Sequence, residues 1–288
     1  MRTLIAALTL TGIVVSATSA KALMIAPSPI SLRVASADAV VVGKVTEVTA
    51  KSEKGEMAKG DERMIYIATV KVEETIQGKK TKTIKVAYFA PPAAPAGGGI
   101  RIGGGNRGGV QLTKDQEGVL FLSKHPTKKD VYLVQQYFDV IGKAGNENFA
   151  FERNEVRKYA KLLKDAKAGL ESKDATVRLE TTSMLVTRYR TPAPGVTKTE
   201  TVPAAESKKI LTTLAKAEWK VTNPRFGAIT AQNTFFLLGL EPKDGWNQPV
   251  DSNLLPTEAK KWLEANAGKF KMKRFVREAD KKDDTEPE

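Results

Sequence analysis

The 288-residue sequence contains no cysteine and a single histidine, His125. This excludes disulfide frameworks, thiol catalysis, cysteine-based zinc sites, iron–sulfur clusters and metal sites built from several histidines. No helix-length apolar run occurs after the first 20 residues, which excludes polytopic membrane proteins. With 41% hydrophobic and 27% charged residues the composition is that of a globular chain. We therefore expect a folded protein with no catalytic residue, no cofactor and no bound metal.

The first 22 residues have the pattern of a secretory signal peptide. Met1-Arg2 is a positive start, residues 3–17 are mostly apolar, and Ala20-Lys21-Ala22 has the A-x-A form of a cleavage site. An uncleaved membrane anchor is the alternative, but an apolar stretch of about 15 residues is shorter than the ~20 needed to cross a bilayer. We predict cleavage after Ala22, with Ala20 as an alternative cleavage point, and export to a bacterial periplasm or the cell exterior.

The formal charge is +13, from 46 basic and 33 acidic residues, and it is spread over both halves of the chain. One dense basic cluster stands out near the C-terminus. A solvated terminal segment is the simpler interpretation; the functional one is contact with an anionic polymer or another envelope protein, nucleic acid being disfavoured in an exported protein. The candidate binding residues are Lys269, Lys271, Lys273, Arg274 and Arg277.

The first half of the chain has the alternating apolar spacing of β-strands. Gly43 interrupts a β-branched run at a position suited to a bulge or a close backbone approach. Because no helix-length period lies between the apolar runs, a small barrel or sandwich is favoured over a parallel sheet. We predict five or six short antiparallel strands, which include residues 39–48, 64–74, 83–89, 119–123 and 131–138.

After Phe151 the apolar spacing changes to the i, i+3, i+4, i+7 period of amphipathic helices. Helix starts lie between 26 and 30 residues apart from about residue 173 onward, which suggests a HEAT-like stack, although no residue pattern repeats. Phe270, Met272 and Phe275 of a terminal strand or arm are predicted to pack into the helical domain, and the tryptophans Trp219, Trp246 and Trp262 are assigned to the core. The predicted helices occupy about 156–170, 173–189, 203–218, 229–238 and 256–265.

Four segments of the first half resemble the OB-like barrel of the netrin and tissue-inhibitor-of-metalloproteinases superfamily. They are residues 37–45, 70–74, 84–86 and 118–122. The resemblance implies an OB-like fold over about 100 residues. The animal inhibitors chelate the metal of their protease through a disulfide-bonded N-terminal cysteine, which this chain lacks, so their inhibitory mechanism is not implied.

The chain as a whole resembles the uncharacterised secreted two-domain proteins of planctomycete-type bacteria, with residues 184–191 and 271–276 as the similar segments. That resemblance implies export and no particular activity. The expected fold class is α+β, a small antiparallel OB-like β-barrel followed by an all-α domain. The expected domains are a signal peptide at 1–22, the barrel at 23–145, the helical domain at 152–276 and a charged, disordered tail at 277–288.

Residues 103–108 fit the G-x-G-x-x-G spacing of dinucleotide-binding loops, but they lie among eight glycines and precede an extended segment instead of a helix. The stretch 91–109 is therefore interpreted as a flexible surface loop.

His125 is the one available imidazole base, and no nucleophile motif accompanies it. We expect a non-catalytic exported binding or scaffolding protein of the bacterial envelope. The alternative is a hydrolase with carboxylates gathered at an interdomain cleft.

Overall fold

A computed structural model describes residues 27–58, 61–89, 110–220 and 228–277. The predicted signal peptide and the glycine-rich loop at 91–109 lie outside the described residues, as does the tail beyond Arg277. Those three expectations therefore stay predictions.

Helices and strands alternate in part along the described chain. Helix α1 (Ile30–Ser36) comes first. The strands that follow are β1 (Ala39–Val48), β2 (Glu53–Ala58), β3 (Asp61–Gln77), β4 (Thr83–Phe89), β5 (Glu117–Lys124), β6 (Val131–Val134) and β7 (Val140–Gly142). The second half contains α2 (Phe149–Lys164), α3 (Ala166–Leu170), α4 (Ala175–Arg190), β8 (Thr199–Thr201), α5 (Ala204–Lys216), α6 (Ala231–Leu237), α7 (Leu255–Asn266) and β9 (Lys273–Phe275).

The first seven strands form one mixed sheet. Its order is β1-β3-β4-β6-β5-β7, β2 pairs with β3, and β1 pairs with β5 as well as with β3. Strands β4 and β6 run parallel, with Val86 opposite Tyr132, whereas the other pairs in this sheet are antiparallel. Strands β8 and β9 form a separate two-stranded antiparallel sheet.

Strand β1 is apolar on both faces because each face packs against a different core. Successive side chains of a strand point to opposite sides of the sheet. Val41 and Val45 therefore join the core formed by the sheet residues, whereas Val40 and Val42 join a second core. In that second core the side chains of α1, α2 and α4 pack against β1, β5 and β7.

The prediction that Gly43 marks a close backbone approach is confirmed. The pairing of β1 with β3 shifts register between Val42 and Gly43. A Cβ atom built on Gly43 would lie 2.6 Å from the carbonyl oxygen of Lys71 on the neighbouring strand. Only a residue without a side chain fits this position without moving one of the two strands.

The expected fold class is wrong. The sheet is mixed and seven-stranded, not a small antiparallel OB-like barrel, and helices are interleaved with strands: α1 precedes β1, and β8 and β9 lie within the helical half. The described residues form no separate all-helical, HEAT-like domain after the sheet, because α2 and α4 share a core with β1 and β5. The error has a physical cause. The spacing of apolar residues shows which face of a strand is buried, but it does not show which strands pair with it or whether they run parallel or antiparallel.

The second half is built around α4, and its main core contains residues of α4, α5, α6 and α7. The assignment of Trp219, Trp246 and Trp262 to this core is confirmed, as is that of Met272, and Phe270 packs against it. Phe275 is half-buried on β9 and is not among the residues of this core. An ion pair also connects the two halves: Arg157 on α2 donates from Nε and Nη2 to the two carboxylate oxygens of Glu74 on β3, at 2.7 and 2.6 Å. Among the helices in the described ranges, none combines the length and hydropathy of a membrane span.

Candidate functional site

The basic cluster predicted from the sequence lies on the segment that leaves α7 and forms β9. Lys269, Lys271 and Lys273 are exposed, and the side chain of Met272 between the last two is 1% exposed in the helical core. This alternation follows from the extended backbone, which turns successive side chains to opposite sides. The three lysines therefore form an accessible basic surface, called the lysine segment below.

Arg274 lies beside this surface but is already engaged. Its Nε donates to Oε1 of Glu200 on β8 at 2.7 Å, and its guanidinium lies 5.6 Å from the centre of the Tyr189 ring. The Tyr189 hydroxyl donates to Glu206, and burial together with that carboxylate raises the pKa of Tyr189. Arg274 thus stabilises the contact of β8 and β9 with α4, and its charge is partly neutralised by Glu200.

Arg277, the fifth candidate binding residue, is buried, unlike the three lysines. Its side chain is 1% exposed, and its guanidinium donates to the carbonyl oxygens of Ser36 at 2.6 Å and Thr191 at 2.7 Å and to Oδ1 of Asp38 at 3.2 Å. Asp38 in turn accepts the backbone N–H of Lys124 at 2.9 Å. Arg277 is a structural residue that attaches the end of the described chain to the junction of α1 and β1.

A second basic feature, which we call the basic groove, lies between α3, the first turn of α4 and the exposed face of α5. It encloses about 500 Å³, within the range of small-molecule sites. Four of its lining residues are cationic and none is a carboxylate. The lining consists of Leu170, Ala175, Arg178, Ala205, Lys208, Lys209, Thr212, Thr213, Lys216 and Ala217.

Two of the four cations have partners within the protein. Arg178 donates to the carbonyl oxygens of Ser172 at 2.7 Å and Lys173 at 2.9 Å, which fixes its guanidinium against the turn before α4. Lys209 pairs with Glu171, and this contact holds the pKa of that carboxyl below its usual range. The carboxylate of Asp174 lies next to the groove and caps α4 by accepting the N–H of Thr176 at 2.7 Å.

Lys208 and Lys216 are exposed and form no ion pair within the described part of the chain. They lie eight residues apart on α5 and line the same groove, which places their backbones about 12 Å apart along the helix axis. The hydroxyls of Thr212 and Thr213 lie between them in sequence and also line the groove. The groove therefore presents two unneutralised cations and two hydroxyl donors to a ligand.

Sequence reasoning missed the basic groove. The signal that was present is the composition of α5, in which Lys208, Lys209 and Lys216 accompany a single acid, Glu206. The opposite wall comes from Leu170 and Arg178, and the packing of α3 and α4 against α5 could not be deduced from local spacing. The lysines alone are typical of any solvated helix face.

Two groups that a hydrolase could use, His125 Nδ1 and the Asp139 carboxylate, accept hydrogen bonds from the backbone. Nδ1 of His125 accepts the backbone N–H groups of Thr127 at 3.2 Å and Lys128 at 3.0 Å, and burial lowers the pKa of this imidazole. Among the described carboxyls, Asp139 has its pKa raised by burial, and it accepts the N–H groups of Gln135 and Gln136. The described ranges hold no group of three His, Asp or Glu side chains arranged to bind a metal ion.

A scan against protein-family models and a search of curated proteins find no match to this chain.

Proposed function

We propose that this protein is a non-catalytic binding protein for an anionic ligand and that the basic groove is its binding site. One observation carries the proposal: four cationic side chains and no carboxylate line a single groove of about 500 Å³. Lysines scattered over a solvated surface do not converge on one concave site. Their convergence, together with two threonine hydroxyls, supports recognition of an anion by charge and by hydrogen bonds.

The lysine segment supports the same function at longer range. Lys269, Lys271 and Lys273 are exposed in the same half of the molecule as the groove. A positive field from several such groups attracts an anionic ligand before contact is made, and salt weakens that attraction because the Debye length is about 8 Å at 0.15 M ionic strength. The lysine segment therefore increases the rate at which the ligand associates, whereas the basic groove holds the bound ligand.

The signal-peptide pattern at residues 1–22 supports a location outside the cytoplasm. In that location the ligand is an anionic polymer or another anionic macromolecule of the bacterial envelope. Binding of this kind needs no nucleophile or base, which agrees with the engagement of His125 Nδ1 by two backbone N–H groups.

The test measures binding of fluorescein-labelled polyphosphate by fluorescence anisotropy at low and high salt. The variant Lys208→Glu/Lys216→Glu should weaken binding about tenfold or more, because it converts two attractions into two repulsions. The control Lys79→Glu/Lys80→Glu makes the same change of charge in the exposed turn between β3 and β4, and should weaken binding less than about threefold. Equal losses in the two variants, or no salt-sensitive binding in the unmodified protein, would contradict the proposal.

A further inference from the structure

Three groove residues on α5 form a ladder with a regular step. Lys208, Thr212 and Lys216 stand at i, i+4 and i+8, and all three line the groove. Residues four apart lie on one face of a helix, about 6 Å apart along its axis. The ladder therefore offers a cation, a hydroxyl donor and a second cation at intervals of about 6 Å.

Apolar side chains line the groove opposite these donors and at both ends of the ladder. Leu170 and Ala175 contribute from α3 and α4, and Ala205 and Ala217 from the two ends of the α5 wall. The aliphatic stems of Lys208 and Lys216 add further apolar surface while their ammonium groups stay in water. A single inorganic anion would fill one step of this ladder and leave the apolar surface uncovered.

We infer that the basic groove binds a linear polyanion in which successive anionic groups are separated by short uncharged linkers, three of those groups contacting Lys208, Thr212 and Lys216. This inference rests on the proposed function and names its ligand class. Phosphodiester chains have this chemistry, because each anionic group is followed by a sugar or polyol linker that can lie against the apolar lining residues. A chain with adjoining charges, such as polyphosphate, still binds the cations through charge, but it has no uncharged linker to cover the apolar part of the lining.

The experiment measures the affinity of the protein for base-free phosphodiester oligomers carrying one to five phosphates. Affinity should rise about two- to fivefold with each phosphate up to the third, because each new group meets one step of the ladder. The fourth and fifth phosphates should change affinity less than about twofold. For the three-phosphate oligomer, log K should fall less steeply with log salt when Lys216 is replaced, because one of the charge contacts that salt screens is lost.

Two substitutions test the individual steps. Lys216→Gln should shorten the ladder, so that affinity reaches its plateau at two phosphates. Thr212→Ala should lower the affinity for the three-phosphate oligomer about two- to fivefold without changing the salt dependence, and Thr212→Ser, which keeps the hydroxyl, should restore it. Lys80→Gln in the β3–β4 turn is the matched control and should change neither property.

The outcomes separate this inference from the proposed function. A plateau at one phosphate, a steady rise through five, or an unchanged plateau in Lys216→Gln would overturn the ladder while salt-sensitive anion binding stands. Tighter binding of an alkyl phosphate than of the three-phosphate oligomer would overturn it in favour of an amphiphilic ligand. Absence of salt-sensitive binding across the whole series would overturn the proposed function itself.

Discussion

The last turn of α1 is stabilised by side chains from distant parts of the chain. A seven-residue helix is too short to be stable alone, and its final carbonyl groups have no partners within the helix. Arg277 donates to Ser36, and Arg188 donates to the carbonyls of Ala35 and Ala37. Nε2 of Gln77 also donates to Ala37, at 2.8 Å. Removing Arg277 or Arg188 takes a donor from the carbonyl of Ser36 or Ala35, whereas the carbonyl of Ala37 accepts from two side chains.

We expect Arg277→Leu to destabilise the protein by about 3–5 kcal/mol, because the substitution leaves Asp38 as a buried charge without its cationic partner. Urea denaturation at pH 7 measures the change. Asp38→Asn/Arg277→Leu removes both charges and should recover part of the loss, so a double-mutant cycle gives the coupling between the two residues. A loss below 1 kcal/mol for Arg277→Leu would show that the pair does not hold the terminal segment in place.

His125 makes stability depend on pH. Its side chain is 6% exposed, and burial, with a smaller effect of the nearby Lys128, lowers its pKa, whereas Glu53 acts in the opposite direction. In the folded protein the lone pair of Nδ1 accepts two backbone N–H groups, so protonating Nδ1 would break these hydrogen bonds. The unfolded chain protonates near the ordinary histidine value of about 6.5, so it binds more protons than the folded protein below that pH.

The free energy of unfolding contributed by His125 should thus be complete above about pH 6.5 and decrease as the pH falls toward the lowered folded value. His125→Asn provides the comparison, because the asparagine Oδ1 can accept N–H groups where Nδ1 does but does not titrate. Urea midpoints between pH 7.5 and pH 5 should fall more steeply for the unmodified protein than for the variant. Parallel curves would contradict the assigned role of Nδ1.

Among the elements, β1 has the most constrained environment. It pairs with β3 on one edge and β5 on the other, and both of its faces are covered by core residues. The continuous apolar run from Ala39 to Val42 follows from this double burial. Gly43 stands where the backbone of β3 comes too close for any side chain.

Gly43→Ala should cost about 1–3 kcal/mol, because the added Cβ would lie 2.6 Å from the carbonyl oxygen of Lys71 and would push β1 away from β3. Gly142→Ala on β7 is the matched control, since no heavy atom lies within 4 Å of the Cβ it would add. Chemical denaturation of the two variants gives the comparison. Similar losses in both would mean that the effect comes from glycine replacement in a strand and not from the contact with Lys71.

At the scale of the whole molecule, the second core connects the sheet to the helices. Val119 and Phe121 of β5 pack with Val156 of α2 and Met184 of α4 in this core. The three tryptophans, by contrast, lie in the main core of the helical half. Tryptophan fluorescence therefore reports the unfolding of the helices and can detect whether the sheet unfolds together with them.

We expect Phe121→Ala to lower the denaturation midpoint seen by tryptophan fluorescence, although the substitution is made in the sheet. Truncation of a buried phenylalanine costs about 3–5 kcal/mol, and the shared core transmits this loss to the helical half. Far-ultraviolet circular dichroism should give the same midpoint in each protein. An unchanged fluorescence midpoint would show that the two halves unfold independently, as the domain boundary predicted between residues 145 and 152 implies.

Local spacing was sufficient to locate most of the elements. The apolar alternation places β1 at 39–48 and β4 at 83–89, where the structure has them, and the helical period places α4 and α5 within about two residues. The position of each of these elements follows from the spacing of apolar side chains a few residues apart, which can be read from the sequence alone. Helix α1 and strand β2 are short or strongly polar and carry no such pattern.

Only the tertiary structure decided how these elements pack and which charged side chains are buried. Three features depend on contacts between segments that are distant in the sequence, and the spacing of apolar residues does not show which segments meet. They are the parallel pairing of β4 with β6, the core shared by helices and sheet, and the opposite wall of the basic groove. Arg277 shows this most clearly: it shares its basic neighbourhood in sequence with exposed lysines, yet its guanidinium bonds to Ser36, 241 positions away. Burial of a charge depends on which segments pack over it. For Arg277 these are the end of α1, the residue before β1 and the residue after α4.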